Sequence, residues 1–334
     1  MTVPERLAAL RKLMREKNID VYVVPTADFH QSEYVGEHFK ARKFITNFSG
    51  SAGTAVITLN DAKLWTDGRY FIQAAKQLEG TTVTLMKMFE PGVPSVNEYL
   101  EEILQAGQTL SFDGRVVSVG EGDEYAEIAK KKGAKVDYQE DLIDEIWTDR
   151  PPLSEEPAFF LEEKYTGEST ASKLARIRKE MEEAGCDAHI VSTLDDTCWT
   201  LNIRGNDIEF FPLVLSYAII KKDSFELYID ERKLDDNLKA LLKKEGVNLH
   251  PYNAIYEDVK QLPAGTTVMV DKSKLNYAIF NNIPASVHVV NKRNPAILMK
   301  ALKNPVEIEN IRKAQIKDSI AHLRFMKWLK ENVG

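Results

Sequence analysis

The chain has 334 residues, 43% of them hydrophobic and 28% charged, and 44 basic against 51 acidic side chains leave a net charge of −7. That length fits two domains, and the balance excludes disordered, fibrous and collagen-like classes. An acidic surface whose one basic run is Lys130-Lys131-Lys132 excludes general nucleic-acid binding, and no apolar run is long enough to span a membrane.

The opening residues, Met1 to Arg6, lead straight into an amphipathic pattern and lack the layout of a signal peptide. Leu7, Leu10 and Met14 recur at helical spacing, and a β-rich run follows from Val21 to Val24. Ser49-Gly50-Ser51-Ala52-Gly53-Thr54 has the small residues of a phosphate cradle. No Lys follows Gly53, however, and a strand from Ala55 to Thr58 comes next, so a tight turn is expected.

In Leu64-Trp65-Thr66-Asp67-Gly68-Arg69-Tyr70-Phe71 a strand ends at Thr66, Asp67-Gly68 turns, and a helical stretch runs from Phe71 to Leu78. Arg69 then projects from the turn, with Asp67 placed to hold its guanidinium. Two readings stand side by side. One is a structural brace; the other is a rigid fork of donors aimed off the domain at a carboxylate or a peptide carbonyl. A helical excursion over 116–132 carries the lysine run as a solvated face. Trp147-Thr148-Asp149-Arg150-Pro151-Pro152 and Ser154-Glu155-Glu156-Pro157 then break the pattern and read as a linker.

Beyond the linker the chain repeats itself. Residues 6–28 align with 173–195, with Leu7/Leu174, Arg11/Arg178, Met14/Met181, Asp20/Asp187 and Asp28/Asp195 among the identical pairs. Further on, Leu64-Trp65-x-Asp67-x-Arg69 is echoed by Leu227-Tyr228-x-Asp230-x-Arg232. Each half reads as helix, strand, loop, antiparallel strand pair, helix, strand, helix, strand: an α/β unit built twice, with the second copy of the 116–132 excursion shortened or absent. The expected organisation is one domain over 1–152, a second over 160–300, and a C-terminal helix over 304–334.

That helix is apolar on two sides. Ile308, Ile311, Ile316, Ile320, Leu323, Met326, Leu329 and Val333 form one face, and Ala314, Ala321, Phe325 and Trp328 another. Lys313, Lys317 and Arg324 keep only a narrow arc. Such a helix expects a second partner, either an oligomer interface or, as preferred here, a further domain.

Site chemistry within the chain is thin. His30, His38, His189, His250, His288 and His322 are scattered and read as surface or core residues. Cys186 and Cys198 are the only cysteines; they read as packed thiols in a reducing cytoplasm. Asp67, Asp113 and Asp149 could suggest a metal cluster, but net acidity without a basic groove argues against a nuclease.

Several blocks carry a family resemblance. Val24-Pro25-Thr26-x-Asp28-x-His30-Gln31-Ser32-Glu33-Tyr34, Gly50-Ser51-Ala52-Gly53-Thr54-Ala55 and Trp65-Thr66-Asp67-Gly68-Arg69-Tyr70-Phe71 resemble the N-terminal domain of cytosolic-type, three-domain aminopeptidase P. Ile146-Trp147-Thr148-Asp149-Arg150-Pro151, Tyr165-Thr166-Gly167, Leu201-Asn202-Ile203-Arg204-Gly205-Asn206-Asp207-Ile208 and Lys313-Ala314-x-Ile316-Lys317-Asp318 continue the match in order. The resemblance to this creatinase/prolidase/aminopeptidase P family implies two similar creatinase N-terminal-like (ribonuclease H-like) α/β domains, each a mixed sheet flanked by helices. A third, "pita-bread" domain would bind a pair of metal ions, usually manganese, and cleave the bond before a proline at the second position of a peptide.

None of those metal ligands has a matching position here, so no catalytic or metal-binding residue is expected in this chain, and residues 306–334 look like the opening helix of the third domain. The resemblance assigns Arg69, supported by Asp67, to substrate contact. It implies as partners the chain's own catalytic domain, a peptide substrate and a second copy in a homodimer. The alternative is a catalytically inactive peptide-binding or chaperone-like module of the same fold.

Overall fold

The computed structural model describes residues 1–333. The first unit contains α1 (Val3–Glu16), β1 (Val21–Pro25), α2 (Ala41–Thr46), β2 (Thr54–Thr58), β3 (Ala62–Thr66), α3 (Phe71–Gln77), β4 (Thr84–Lys87), α4 (Val96–Ile103), β5 (Thr109–Phe112), α5 (Val119–Lys132), β6 (Lys135–Asp137) and α6 (Leu142–Ile146). The second contains β7 (Phe159–Phe160), α7 (Glu163–Thr166), α8 (Thr170–Glu183), β8 (Ala188–Val191), α9 (Leu194–Leu201), β9 (Ile203–Arg204), β10 (Ser216–Lys221), β11 (Phe225–Ile229), α10 (Asp236–Lys244), β12 (Val247–His250), α11 (Ile255–Asp258), β13 (Thr267–Val270), α12 (Tyr277–Asn281), β14 (His288–Asn291) and α13 (Pro295–Ala301). The last helix, α14, spans Pro305–Asn332. Among the described residues no helix is long and apolar enough to cross a membrane.

Both units form six-stranded mixed sheets of one topology, β4-β3-β2-β1-β5-β6 and β12-β11-β10-β8-β13-β14. The residues shared between the copies explain why. Leu7, Met14, Leu174 and Met181 are buried beneath the sheets. Arg11 Nε donates to the Thr58 carbonyl at 3.0 Å, and Arg178 Nε to the Lys221 carbonyl at 2.9 Å, so each helix is tied to the end of a neighbouring strand. Asp20 accepts from the Thr109 amide and Asp187 from the Thr267 amide, fixing the entry to the central strand. The excursion after β5 is a 14-residue helix, α5, in the first unit and the five-residue α12 in the second.

Each sheet has one strand more than the sequence pattern predicts. β6 and β14 are edge strands of three and four residues with little buried apolar surface. They carry no period-2 signal; β6 follows the left-handed Gly133 that ends α5, and each takes its place from the parallel strand beside it.

The two units join about a local two-fold axis. Ser118 and Asn276, each the N-cap of its helix (α5 and α12), form an isolated antiparallel bridge. Around it the Val119 amide donates to the Leu275 carbonyl and the Tyr277 amide to the Val117 carbonyl, both at 2.9 Å. Gly120 to Lys272 and Ala278 to Gly114 repeat the relation one step outward. Tyr277 lies against Gly122, where an added Cβ would stand 2.2 Å from the ring. Phe29 and Phe39 of the first unit enter the core of the second. The interface is continuous, with backbone hydrogen bonds at its centre and aromatic packing at its flank.

α14 leaves this body almost unaccompanied. Its N-cap Asn304 donates from Nδ2 to the Thr166 carbonyl at 2.7 Å, and Asn310 donates to the Lys164 and Tyr165 carbonyls. Gly167, at φ +68°, allows that approach, since a Cβ there would lie 2.4 Å from Asn304 Oδ1. No residue of the helix is buried, and Ile311, Ile316, Leu323, Phe325 and Trp328 are all more than half exposed.

Candidate functional site

β3 delivers its last residue, Thr66, to the sheet end, and Asp67 then caps a single 3₁₀ turn over Gly68–Tyr70. Asp67 Oδ1 accepts from the Arg69 amide at 3.1 Å. The guanidinium folds back on the same carboxylate, with Nε to Oδ1 and Nη2 to Oδ2 both at 2.8 Å. This two-point fork holds the Asp67 carboxyl down at about 2 and moves the Arg69 guanidinium upward from its ordinary value. The Arg69 side chain remains 67% exposed. Its Nη1 has no hydrogen-bond partner among the described residues, so a donor edge faces outward, pre-set in orientation by Asp67.

Behind the turn, the Tyr70 hydroxyl meets Ser51 Oγ at 2.6 Å. The Ser49–Ser51 loop is held from below by Arg42, which is buried and donates to the Phe48 and Gly50 carbonyls and to Thr26 Oγ1. Burial without a carboxylate lowers the Arg42 guanidinium to about 10. The small-residue stretch is thus a turn fixed by arginine, and its outer side lines a cleft of about 710 Å³ between the two units, together with Tyr34, Asp207 and Phe210. Arg69 stands beside this cleft and is not part of its lining.

The same turn occurs twice more. Asp230 and Arg232 reproduce the fork, with Nε to Oδ1 at 3.0 Å and Nη2 to Oδ2 at 2.6 Å, and Arg232 also grips Glu155 of the linker at 2.7 Å. Asp113 and Arg115 form the third. There Nη2 reaches both Asp113 and Asp141 at 2.9 Å, and the guanidinium lies 4.6 Å from the Phe29 ring centroid. Sequence reasoning passed over Arg115, although Asp113-Gly114-Arg115 repeats the tripeptide Asp67-Gly68-Arg69. Arg232 and Arg115 each hold a second carboxylate, Glu155 and Asp141, whereas Arg69 holds Asp67 alone; in exposure Arg69 and Arg232 are alike, at 67% and 68%.

The fork geometry also bears on metal binding. Asp67 and Asp113 each spend both carboxylate oxygens on an arginine, Asp149 lies elsewhere on the exposed linker, and no group of three or more His, Cys, Asp or Glu side chains converges among the described residues. The residues present do not fit a pair of hard cations, which need several converging carboxylates.

Of the histidines, His30 is the informative one. Buried at the unit interface, it pairs Nδ1 with the Ser192 carbonyl at 2.7 Å and Nε2 with the Tyr252 hydroxyl at 2.6 Å, and burial shifts it toward the neutral form. A lone His after a strand gave no sign of that bridging position. Cys186 and Cys198 are buried thiols, the latter pushed up to about 12 by desolvation.

Comparison with known proteins accords with this architecture. The creatinase/prolidase N-terminal domain matches twice, over residues 6–146 and 149–307. A probable Xaa-Pro aminopeptidase P of Neurospora crassa is 41% identical over 98% of the chain and 50% of its own length. Xaa-Pro aminopeptidase 1 of Dictyostelium discoideum is 36% identical over 100% of the chain and 54% of its own. The crystal structure of the X-prolyl aminopeptidase of Caenorhabditis elegans, described as a cytosolic enzyme with a di-nuclear active site, superposes with a TM-score of 0.94 at 33% identity, over the whole chain and 57% of that protein. The chain therefore spans about half the length of the relatives it matches. With two successive N-terminal domains related by a shared strand order, it belongs to the creatinase/prolidase/X-Pro aminopeptidase family.

Proposed function

We propose that this chain is the non-catalytic, two-domain portion of an Xaa-Pro aminopeptidase, serving substrate gating and assembly for a catalytic domain that carries two divalent metal ions, manganese by family resemblance. The observation that carries this reading is the superposition of the whole chain on part of the X-prolyl aminopeptidase from Caenorhabditis elegans, described as an enzyme with a di-nuclear active site, while no metal-binding group converges among this chain's described residues. The metals would activate the water that attacks the bond before proline. This chain's share of the work is binding and orientation.

Arg69 is the residue we assign to the substrate. Its outward donor edge suits a peptide carbonyl or carboxylate, and Asp67 removes most of the freedom a lone arginine would lose on binding. The bare faces of α14 fit the catalytic domain as their cover, and a homodimer is the expected assembly. Unpaired buried cysteines suit a cytoplasmic setting.

The test is direct. The 334-residue chain alone should hydrolyse no Xaa-Pro peptide and bind manganese only weakly, whereas the full-length protein should do both. Calorimetry revealing a stoichiometric, micromolar manganese site on this chain would overturn the assignment.

A further inference from the structure

His30 follows β1 in the first unit, yet both of its ring nitrogens are spent on the second. The Ser192 carbonyl only accepts, so Nδ1 carries the proton that goes to it. Nε2 is then the bare nitrogen that takes the Tyr252 hydroxyl. The two partners together define a neutral ring in a single tautomer.

A cage of second-unit tyrosines surrounds that ring. Tyr217 lies 4.3 Å from it and Tyr252 5.8 Å, centroid to centroid. The Tyr217 hydroxyl meets that of Tyr256 at 3.1 Å. Asn276 Nδ2 donates to the Tyr256 hydroxyl at 3.3 Å and to the Phe29 carbonyl, one residue from His30, at 3.0 Å. Asn276 is also half of the antiparallel bridge with Ser118 on which the units join. Contacts therefore run in a closed loop from His30 through the tyrosines to the bridge and back to Phe29.

Among the described residues no carboxylate hydrogen-bonds to the His30 ring. Asp28, on the same loop, spends Oδ1 on the His30 and Ser32 amides. Across the joint Asp207 is paired with Lys233 at 2.6 Å, both side chains buried. Arg115, over the Phe29 ring, is held by Asp113 and Asp141. Burial keeps Tyr217, Tyr252 and Tyr256 as neutral phenols. Burial also lowers His30 from the ordinary 6.5, outweighing the attraction of Asp28 and Asp207, and Lys233 acts in the same direction.

We propose that the joint between the two domains is acid-sensitive, with His30 as its pin. A proton added at Nε2 takes the acceptor from the Tyr252 hydroxyl and leaves an imidazolium in the cage with no carboxylate bound to it. The bridge at Ser118 and Asn276 then loosens while both sheets stay folded. An opened joint exposes His30 to water and restores its ordinary proton affinity. The joint is at full strength above 6.5 and weakens as the pH falls below that value. Both units wall the cleft of about 710 Å³, so its width follows the joint.

The experiment is amide hydrogen exchange on this chain at about pH 7 and about pH 5, corrected for the intrinsic rate. The reporters are the Val119 and Tyr277 amides, which cross the joint, against the amides of β1 and β10 within the sheets. Protection of the joint amides should fall roughly tenfold, the equivalent of one unit of proton affinity, while the sheet amides hold. His30→Gln has no titrating nitrogen and keeps an acceptor for Tyr252, so it should flatten the response. In the parent, the His30 ring resonance followed by NMR should titrate over the same interval, and that coincidence decides the matter if the variant does not fold. Joint and sheet amides losing protection together would mean general acid unfolding. A response surviving in His30→Gln would belong to another group, such as His38 or Asp113, whose proton affinities burial also shifts. A ring that titrates without any change in joint protection would bear no load. Each of these three results overturns the proposal.

Discussion

Arg6 and Lys173 occupy the same position in the two domains, and each lies over an aromatic ring while donating to the carbonyl of that same residue. Arg6 reaches the Phe44 carbonyl at 2.6 Å with its guanidinium 4.3 Å from the ring; Lys173 reaches the Trp199 carbonyl at 2.8 Å with its ammonium 4.6 Å away. The contact is conserved between copies, and the cation is not. Arginine keeps its charge at any working pH, whereas burial brings Lys173 down to about 8.

Lys173 therefore confers a pH dependence that Arg6 does not. Its folded-state value lies below the unfolded 10.5, so between about pH 8 and 10.5 the unfolded chain binds the extra proton. The penalty of burying the charge is fully present below that window, and stability rises with pH through it. Lys173→Met should remove this slope. Thermal melts of parent and variant at about pH 7 and about pH 10 should show the parent gaining relative to the variant at the higher pH. A constant difference would mean that the ammonium is not desolvated in the folded protein.

Arg69→Ala in the full-length protein should lower turnover efficiency roughly 10- to 150-fold, the equivalent of about 1.5–3 kcal/mol for a charge-assisted hydrogen bond to substrate. Arg69→Lys should restore little, because an ammonium cannot copy the fork. Arg232→Ala is the internal control. It releases Glu155 and should lower the melting temperature with near-normal turnover in the folded protein. If the two alanine variants impair turnover alike at equal stability, Arg69 is a brace.

Gly122→Ala should destabilise the joint between the domains, because the new methyl would meet the Tyr277 ring at 2.2 Å. Overpacking of this kind costs about 1–3 kcal/mol. The cost should largely disappear in the Tyr277→Ala background, which removes the obstructing ring. Additive losses in the double variant, read by denaturant titration, would place the effect within α5 itself.

The sequence pattern was a good guide wherever a residue acts locally. Asp67-Gly68-Arg69 closes on itself within three residues, so spacing alone revealed it; Arg11 and Asp20 stood out only through their repeats Arg178 and Asp187, because the backbone groups they hold, at Thr58 and Thr109, lie 47 and 89 residues away. The short edge strands β6 and β14 were not legible, because neighbouring strands and not their own residues define them. Nor was the joint. Ser118 and Asn276 look like ordinary helix caps, and their pairing depends on the placement of two whole domains.

A helix of 28 residues rises about 42 Å, and α14 is fastened only near its root, at Asn304 and Asn310. Mechanically it is a cantilever. A tilt of about ten degrees at the Gly167–Asn304 contact would swing its far end by roughly 7 Å at this rise per residue. The two domains, clamped together about Ser118 and Asn276, form the rigid wall from which it extends. A small change of packing beside Thr166 would thus be magnified along the arm, and whatever the arm carries would be repositioned relative to Arg69 without any movement inside the domains themselves.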